Sequence, residues 1–317
     1  KVNTDSSLSE GLDFSLPVIS SPMDTITEAD MAVALHKAGG LGVIHRYNTI
    51  NEQADIVKQV IAECKAAPAA IAIGATGDYL DRAERAVHLG VKALCIDTAH
   101  GHHSAMERAI KTLKDGYGNR VHVMAGNVAT LDGFNALAEW GADSVRVGIG
   151  GGSICSTRLV TGHGVPTLES IMDCAKTGHN TKIIADGGIK TSGDIVKALA
   201  AGADFVMIGS MLAGTKETPG NVFTSKEGKK YKIYRGMASS KAQTDWRGAS
   251  STPEGVSTTV AFKGEVAPIL DNILGGIRSG LSYSGVRTLK DFQIKARFIR
   301  QSPASQVESS THIMLKR

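Results

Sequence analysis

Short β-branched runs followed by polar, alanine-rich amphipathic stretches recur along this chain, and that alternation constrains its fold more than any other feature. The apolar runs cover residues 17–20, 41–45, 71–74, 93–97, 121–126, 144–147, 182–186 and 205–208. Helical patterns cover 28–38, 79–89, 104–113, 131–140 and 192–200. Runs that are apolar throughout, rather than at every second residue, predict a parallel sheet covered on both faces. Seven are counted as strands, leaving a terminal one to complete eight. With 317 residues, the pattern fits a (β/α)8 TIM barrel better than an open sheet. Spacers at Gly90, Gly141 and Gly202 stand between a helix end and the next strand, as helix-terminating glycines do. From Thr215 to Gly264 the alternation stops. That Gly-, Ser-, Thr- and Lys-rich stretch predicts an irregular flap, a lid or a disordered segment inserted in one catalytic barrel spanning 1–317.

Composition removes several functions. Net charge is +4, the charges are interspersed, and aromatic residues make up only 5%. A nucleic-acid platform needs clustered cations and stacking rings, so none is expected. No apolar stretch reaches 18 residues, which excludes a membrane-spanning helix. The N-terminus does not read as a signal peptide. Four cysteines at no metal-ligand spacing and without a CxxC point to a reducing cytoplasm.

In a barrel the chemistry lies where strands end. The strand-end residues here are 20–24, His45-Arg46, Asp97 to His100, Gly126-Asn127, Gly148 to Cys155, Asp186 to Gly188, and Gly209-Ser210. They are glycines, small hydroxyls, carboxylates and one cysteine. The loop from Gly148 to Arg158 has four glycines in five positions, so its amides can hold an anion and its carbonyls a cation. It does not match the GxGxxG dinucleotide fingerprint. Cys155, in a polar glycine loop near a helix start, is the expected nucleophile, with a lowered pKa. Cys64, Cys95 and Cys174 sit in apolar or helical contexts and read as buried thiols. Asp186-Gly187-Gly188 with Gly209-Ser210 suits a nucleoside monophosphate: phosphate on the glycine turns, ribose diol on the carboxylate, base toward Cys155. Asp97 could hold a second ribose. His100, His102 and His103 lack the i, i+4 spacing of a zinc pair, so no metal is assigned to them.

Taken together, these loops resemble the inosine monophosphate dehydrogenase / guanosine monophosphate reductase family over essentially the whole chain. The matching motifs begin at Ser20, Asp97, Ala125, Gly148, Ala185, Met207, Tyr234 and Pro253. The resemblance implies a barrel enzyme, usually a homotetramer. It makes Cys155 the nucleophile toward purine C2, with Thr157 and Glu254 handling proton transfer to the leaving amine or water. It gives Ser21, Met23, Ser153, Asp186, Gly188, Gly209, Ser210, Tyr234 and Met237 to the nucleotide. It gives Asp97, Asn127, Arg146 and Gly148 to a nicotinamide dinucleotide. It also implies a monovalent cation such as K⁺ on carbonyls of Gly150, Gly152 and Cys155, joined by Glu308 and Ser309 of a neighbouring subunit.

Two departures from the family pattern carry information. The stretch between residues 48 and 70 is too short for the regulatory CBS modules that dehydrogenases usually carry there. The flap between Met237 and Glu254 lacks the Arg-Tyr pair with which dehydrogenases activate water, and Trp246-Arg247 is no obvious substitute. The short flap resembles a reductase that uses NADPH to turn GMP into IMP and ammonia. The alternative is a CBS-less dehydrogenase that oxidises IMP to XMP with NAD and K⁺. The 308–312 segment and the Asp97 motif look more like that second activity.

Overall fold

The computed structural model describes residues 2–65 and 68–309. All eight apolar runs form strands: β1 (Val18–Ser20), β2 (Leu41–Ile44), β3 (Ala70–Ile73), β4 (Ala93–Asp97), β5 (His122–Val128), β6 (Ser144–Val147), β7 (Lys182–Asp186) and β8 (Phe205–Ile208). Each pairs in parallel with its sequence neighbour, and β8 pairs with β1, so the sheet closes into a barrel. The eight runs give eight strands, one more than the count of seven, so the barrel closes with no further terminal strand.

Helices α1 (Ala29–Lys37), α2 (Ile50–Glu63), α3 (Tyr79–His88), α4 (Ser104–Tyr117) and α5 (Leu131–Glu139) follow strands β1 to β5 in turn. Short α6 (Thr157–Thr161) and α7 (Thr167–Cys174) separate β6 from β7, and α8 (Ser192–Ala200) separates β7 from β8. Their starts are chemically defined. Thr49 and Thr191 close capping boxes with Glu52 and Asp194, which satisfies amide donors that a helix start leaves unpaired. Gly90, Gly141 and Gly202 take the expected left-handed backbone after helices α3, α5 and α8. Among the described residues, α2 is the one regular element between β2 and β3, so no CBS module lies there.

The barrel interior is filled from below. Leu8, Leu12 and Phe14, from a hairpin that pairs Ser6–Ser7 with Asp13–Phe14, join the inward residues of the strands in one apolar cluster. Phe14 meets Phe205 edge-on at 5.7 Å. Phe205 opens β8, so this plug sits at the N-terminal end of the strands and leaves the opposite mouth for polar residues.

The flap is not irregular. It forms an antiparallel sheet of β9 (Phe223–Thr224), β10 (Lys230–Arg235) and β11 (Ser257–Ala261), with α9 (Ser240–Arg247) between β10 and β11. Its strands carry Lys, Thr and Ser on exposed positions, so they show little of the apolar signal that marks the barrel strands. Thr215 and Gly264 bridge where the flap leaves and rejoins the barrel. After the flap come α10 (Ala267–Tyr283), α11 (Leu289–Lys295) and α12 (Pro303–Glu308).

Candidate active site

The polar ends of the strands and the flap enclose a cleft of about 810 Å³. Every residue assigned above to the reacting groups, the nucleotide or the dinucleotide lines it, from Ser21 to Glu254. Glu308 and Ser309 do not line the cleft of their own chain; they close and follow α12.

Strand register explains the charged end of the cleft. Asp97, Gly126 and Arg146 lie side by side across β4, β5 and β6. Gly126 clears the path between the two charges, because a Cβ there would stand 2.7 Å from Arg146 Cβ. Arg146 Nη1 therefore reaches across to Asp97 Oδ1 at 2.5 Å, while Nη2 and Nε donate to Asp186 Oδ2 at 2.8 and 3.2 Å. Asn127 Nδ2 donates to the same oxygen at 2.9 Å. Three donors thus converge on Asp186 Oδ2, and the carboxylate's other oxygen is the one available to a sugar hydroxyl. Gly148 must be bare, since a Cβ would fall 1.9 Å from the Asp186 carbonyl oxygen.

A second cradle surrounds Gly209. A Cβ on it would meet Ser21 Oγ and Met23 Sδ at 3.3 Å and the Tyr234 hydroxyl at 3.5 Å. Tyr234 comes from β10 and its hydroxyl lies 3.4 Å from Ser153 Oγ. Burial raises the Tyr234 phenol pKa, which keeps it a neutral donor. Hydroxyls and turn amides of 187–188 and 209–210 give this corner a set of donors that suits a phosphate.

Between these two ends stands the thiol. Cys155 is exposed to the cleft just before the start of α6. Its Sγ lies 3.2 Å from Thr157 Oγ1, which donates to Glu254 Oε2 at 2.8 Å. The carboxylate belongs to the flap and is brought to the loop by backbone pairing. Ser156 N–H donates to the Glu254 carbonyl at 2.9 Å, and Val256 N–H to the Ile154 carbonyl at 3.0 Å. Sulfur, hydroxyl and carboxylate therefore form one hydrogen-bonded chain, the arrangement that proton transfer requires.

The other three cysteines are buried. Burial pushes the Cys95 thiol up to about 11 and the Cys174 thiol up to about 12. At pH 8 only roughly one in a thousand Cys95 thiols would be ionised, even if reagent could reach it. Limiting iodoacetamide should therefore modify Cys155 first, read by peptide mass spectrometry. Faster labelling of Cys64 would show that the loop confers no advantage on its thiol.

Several cleft residues had no role in the sequence reading. Tyr47 donates to the Met237 carbonyl at 2.9 Å and stacks on Trp246 of α9, with ring centroids 5.8 Å apart and planes 16° from parallel. The Arg82 guanidinium lies 5.8 Å from the Trp246 ring centroid on the same cleft wall. Arg46 approaches Asp97 at 3.7 Å. Arg46 was visible as a strand-end residue; Arg82, in the body of α3, carries no sequence signal of a site. Of the histidines, His103 caps α4 by accepting from Met106 N–H, and His102 packs on Trp140.

Comparison with known proteins gives a consistent picture. The family model for the IMP dehydrogenase / GMP reductase domain matches residues 1–312. An inosine-5′-monophosphate dehydrogenase of Nitrosopumilus maritimus is 33% identical over 97% of this chain and 93% of its own length. A GMP reductase of Leishmania major is 48% identical over 77% of this chain, a match that spans about half (52%) of that relative. Among solved structures, the C318A GMP reductase of Trypanosoma brucei in complex with guanosine 5′-monophosphate superposes with a TM-score of 0.91. It shares 30% identity, with 98% of this chain and 93% of that one covered. Barrel, cleft and relatives agree that this chain belongs to the IMP dehydrogenase / GMP reductase family, oxidoreductases that act on purine nucleoside monophosphates.

Proposed function

We propose that this protein is a GMP reductase, converting GMP to IMP and ammonia with NADPH. The observation that carries the reading is the flap. The 238–253 segment holds α9, whose Trp246 is stacked against Tyr47, and contains no Arg-Tyr pair with which to activate water. A reductase needs no such water.

In this reading the nucleotide phosphate sits at the Gly209 cradle with Ser21, Ser153, Gly188, Ser210 and Tyr234. The ribose diol lies on Asp186, and the base lies over Met23 and Met237 toward Cys155. Cys155 gives its proton through Thr157 to Glu254, and Sγ bonds to purine C2. The bond from C2 to the exocyclic amine breaks, and the proton returns along the same path, so the amine leaves as ammonia. NADPH, when bound, supplies the hydride that C2 accepts. The C2–Sγ bond then breaks, IMP departs, and one proton from solvent returns the Cys155 thiolate to the starting thiol.

The coenzyme side fits a nicotinamide. Asn127 Oδ1 is buried without a hydrogen-bond partner beside Asp97, Arg146 and Gly148, and a carboxamide N–H would satisfy it. The reading includes a homotetramer, in which Glu308 and Ser309 would face a neighbour's loop.

The second reading, an IMP dehydrogenase, draws on relatives under that name. It would add K⁺ on carbonyls of Gly150, Gly152 and Cys155. One paired assay separates the two. Loss of reduced-nicotinamide absorbance with GMP and NADPH is expected. No loss, together with K⁺-stimulated reduction of NAD by IMP, would replace the first reading with the second.

A further inference from the structure

Lys232 is the least expected side chain of the flap. It lies in the middle of β10, only 2% exposed, and is among the largest fully buried side chains of the protein. No carboxylate forms a salt bridge with it among the described residues. Its Nζ donates instead to three backbone carbonyls at the root of the flap: Thr215 at 3.1 Å, Lys216 at 3.5 Å, and Thr218 at a shorter distance. Thr215 and Thr218 are themselves buried, and their hydroxyls donate to the Leu212 and Thr215 carbonyls at 2.9 and 2.7 Å. The turn at 215–218 is therefore wound so that its carbonyls point at one cation. Burying an ammonium is costly unless every donor is satisfied, and these carbonyls satisfy it.

The strand converts this pin into a position. Side chains two residues apart on a strand share a face, and Lys232 and Tyr234 are the two buried residues of β10. Fixing Lys232 to the flap root fixes how far β10 projects over the barrel mouth. That distance decides whether the Tyr234 hydroxyl meets Ser153 and Gly209. We propose that Lys232 is a positioning residue for the nucleotide phosphate: its ammonium acts as an internal cation that docks β10 on the 215–218 turn and so holds Tyr234 at the phosphate corner.

The proposal rests on the phosphate corner described above but not on which base is processed, because GMP and IMP carry the same phosphate. Lys232→Met removes the cation and keeps most of the volume. It should raise the KM of the processed nucleotide about tenfold or more and change kcat less than threefold, since Cys155, Thr157 and Glu254 are held by other contacts. Lys232→Arg, still cationic, should recover part of the loss. Lys232→Ala leaves a cavity walled by carbonyls, and millimolar methylammonium should restore nucleotide affinity saturably, with no effect on wild type. Direct titration of GMP and of IMP gives the same comparison without turnover, and keeps the test open should Lys232→Met fold poorly. An unchanged KM in Lys232→Met, or no rescue of a folded Lys232→Ala, overturns the proposal. If wild type binds neither nucleotide, it is the phosphate corner that fails.

Discussion

Cys155→Ala should lose turnover by a factor on the order of 10⁴ or more while still binding nucleotide within about threefold of wild type. The reasoning is local. The thiol is the one group in the cleft able to bond to purine C2 and then leave again, and its neighbours cannot replace it. Thr157 is a far weaker nucleophile already committed to Glu254 at 2.8 Å. The buried Cys95 thiol, touching Arg146 at 3.5 Å on the barrel side, faces the charged end and not the loop. Removing one sulfur atom from an exposed side chain costs the fold little, and the contacts of Asp186, Tyr234 and Gly209 do not pass through it. Electrospray of wild type quenched during turnover should also show a nucleotide adduct on the 155-containing peptide, absent in the variant. Residual turnover above a hundredth of wild type would mean that the chemistry does not run through a covalent sulfur.

The barrel was legible because its physics is repetitive. Continuous apolar runs, each followed by an amphipathic stretch, leave few packings open, and the runs at 93–97 and 182–186 became strands with those limits. Helix α2 has no place among the helical patterns above, although Thr49 and Glu52 spell a capping box. The flap was illegible for a different reason. Its sheet is held by backbone pairing and by Lys232 in a carbonyl nest, and neither leaves an apolar period in the sequence. The site residues themselves could be read off the strand ends. Their couplings could not. That Gly126 lets Arg146 join Asp97 to Asp186 depends on register across three strands, and that Trp246 meets Tyr47 depends on how a loop folds back across nearly two hundred residues. Spacing along one chain contains neither distance.

Glu254→Gln should lower kcat roughly 10²- to 10⁴-fold with little change in nucleotide affinity. In the proposed reaction the carboxylate ends the path that begins at Cys155, and an amide could not take up the proton that Thr157 would pass on. The substitution is close to isosteric. The backbone of residue 254 stays fixed by its own bonds, donating to the Ala238 carbonyl at 3.0 Å and accepting from Ser156 N–H at 2.9 Å, so a loss cannot be assigned to a displaced flap. Thr157→Val breaks the same path at its middle and should cost a similar factor. Because both act on one proton, the double variant should be no more than a few times slower than the worse single one, not slower by the product of the two losses. Multiplying losses would show that Thr157 and Glu254 act independently, and the relay inferred from the 3.2 and 2.8 Å contacts would then be a packing arrangement. The result tests the relay itself, which either reading of the reaction would use, and the paired nucleotide assay decides between the two reactions. A path that both accepts the thiol's proton and returns it to a departing amine is sufficient for ammonia release without any activated water.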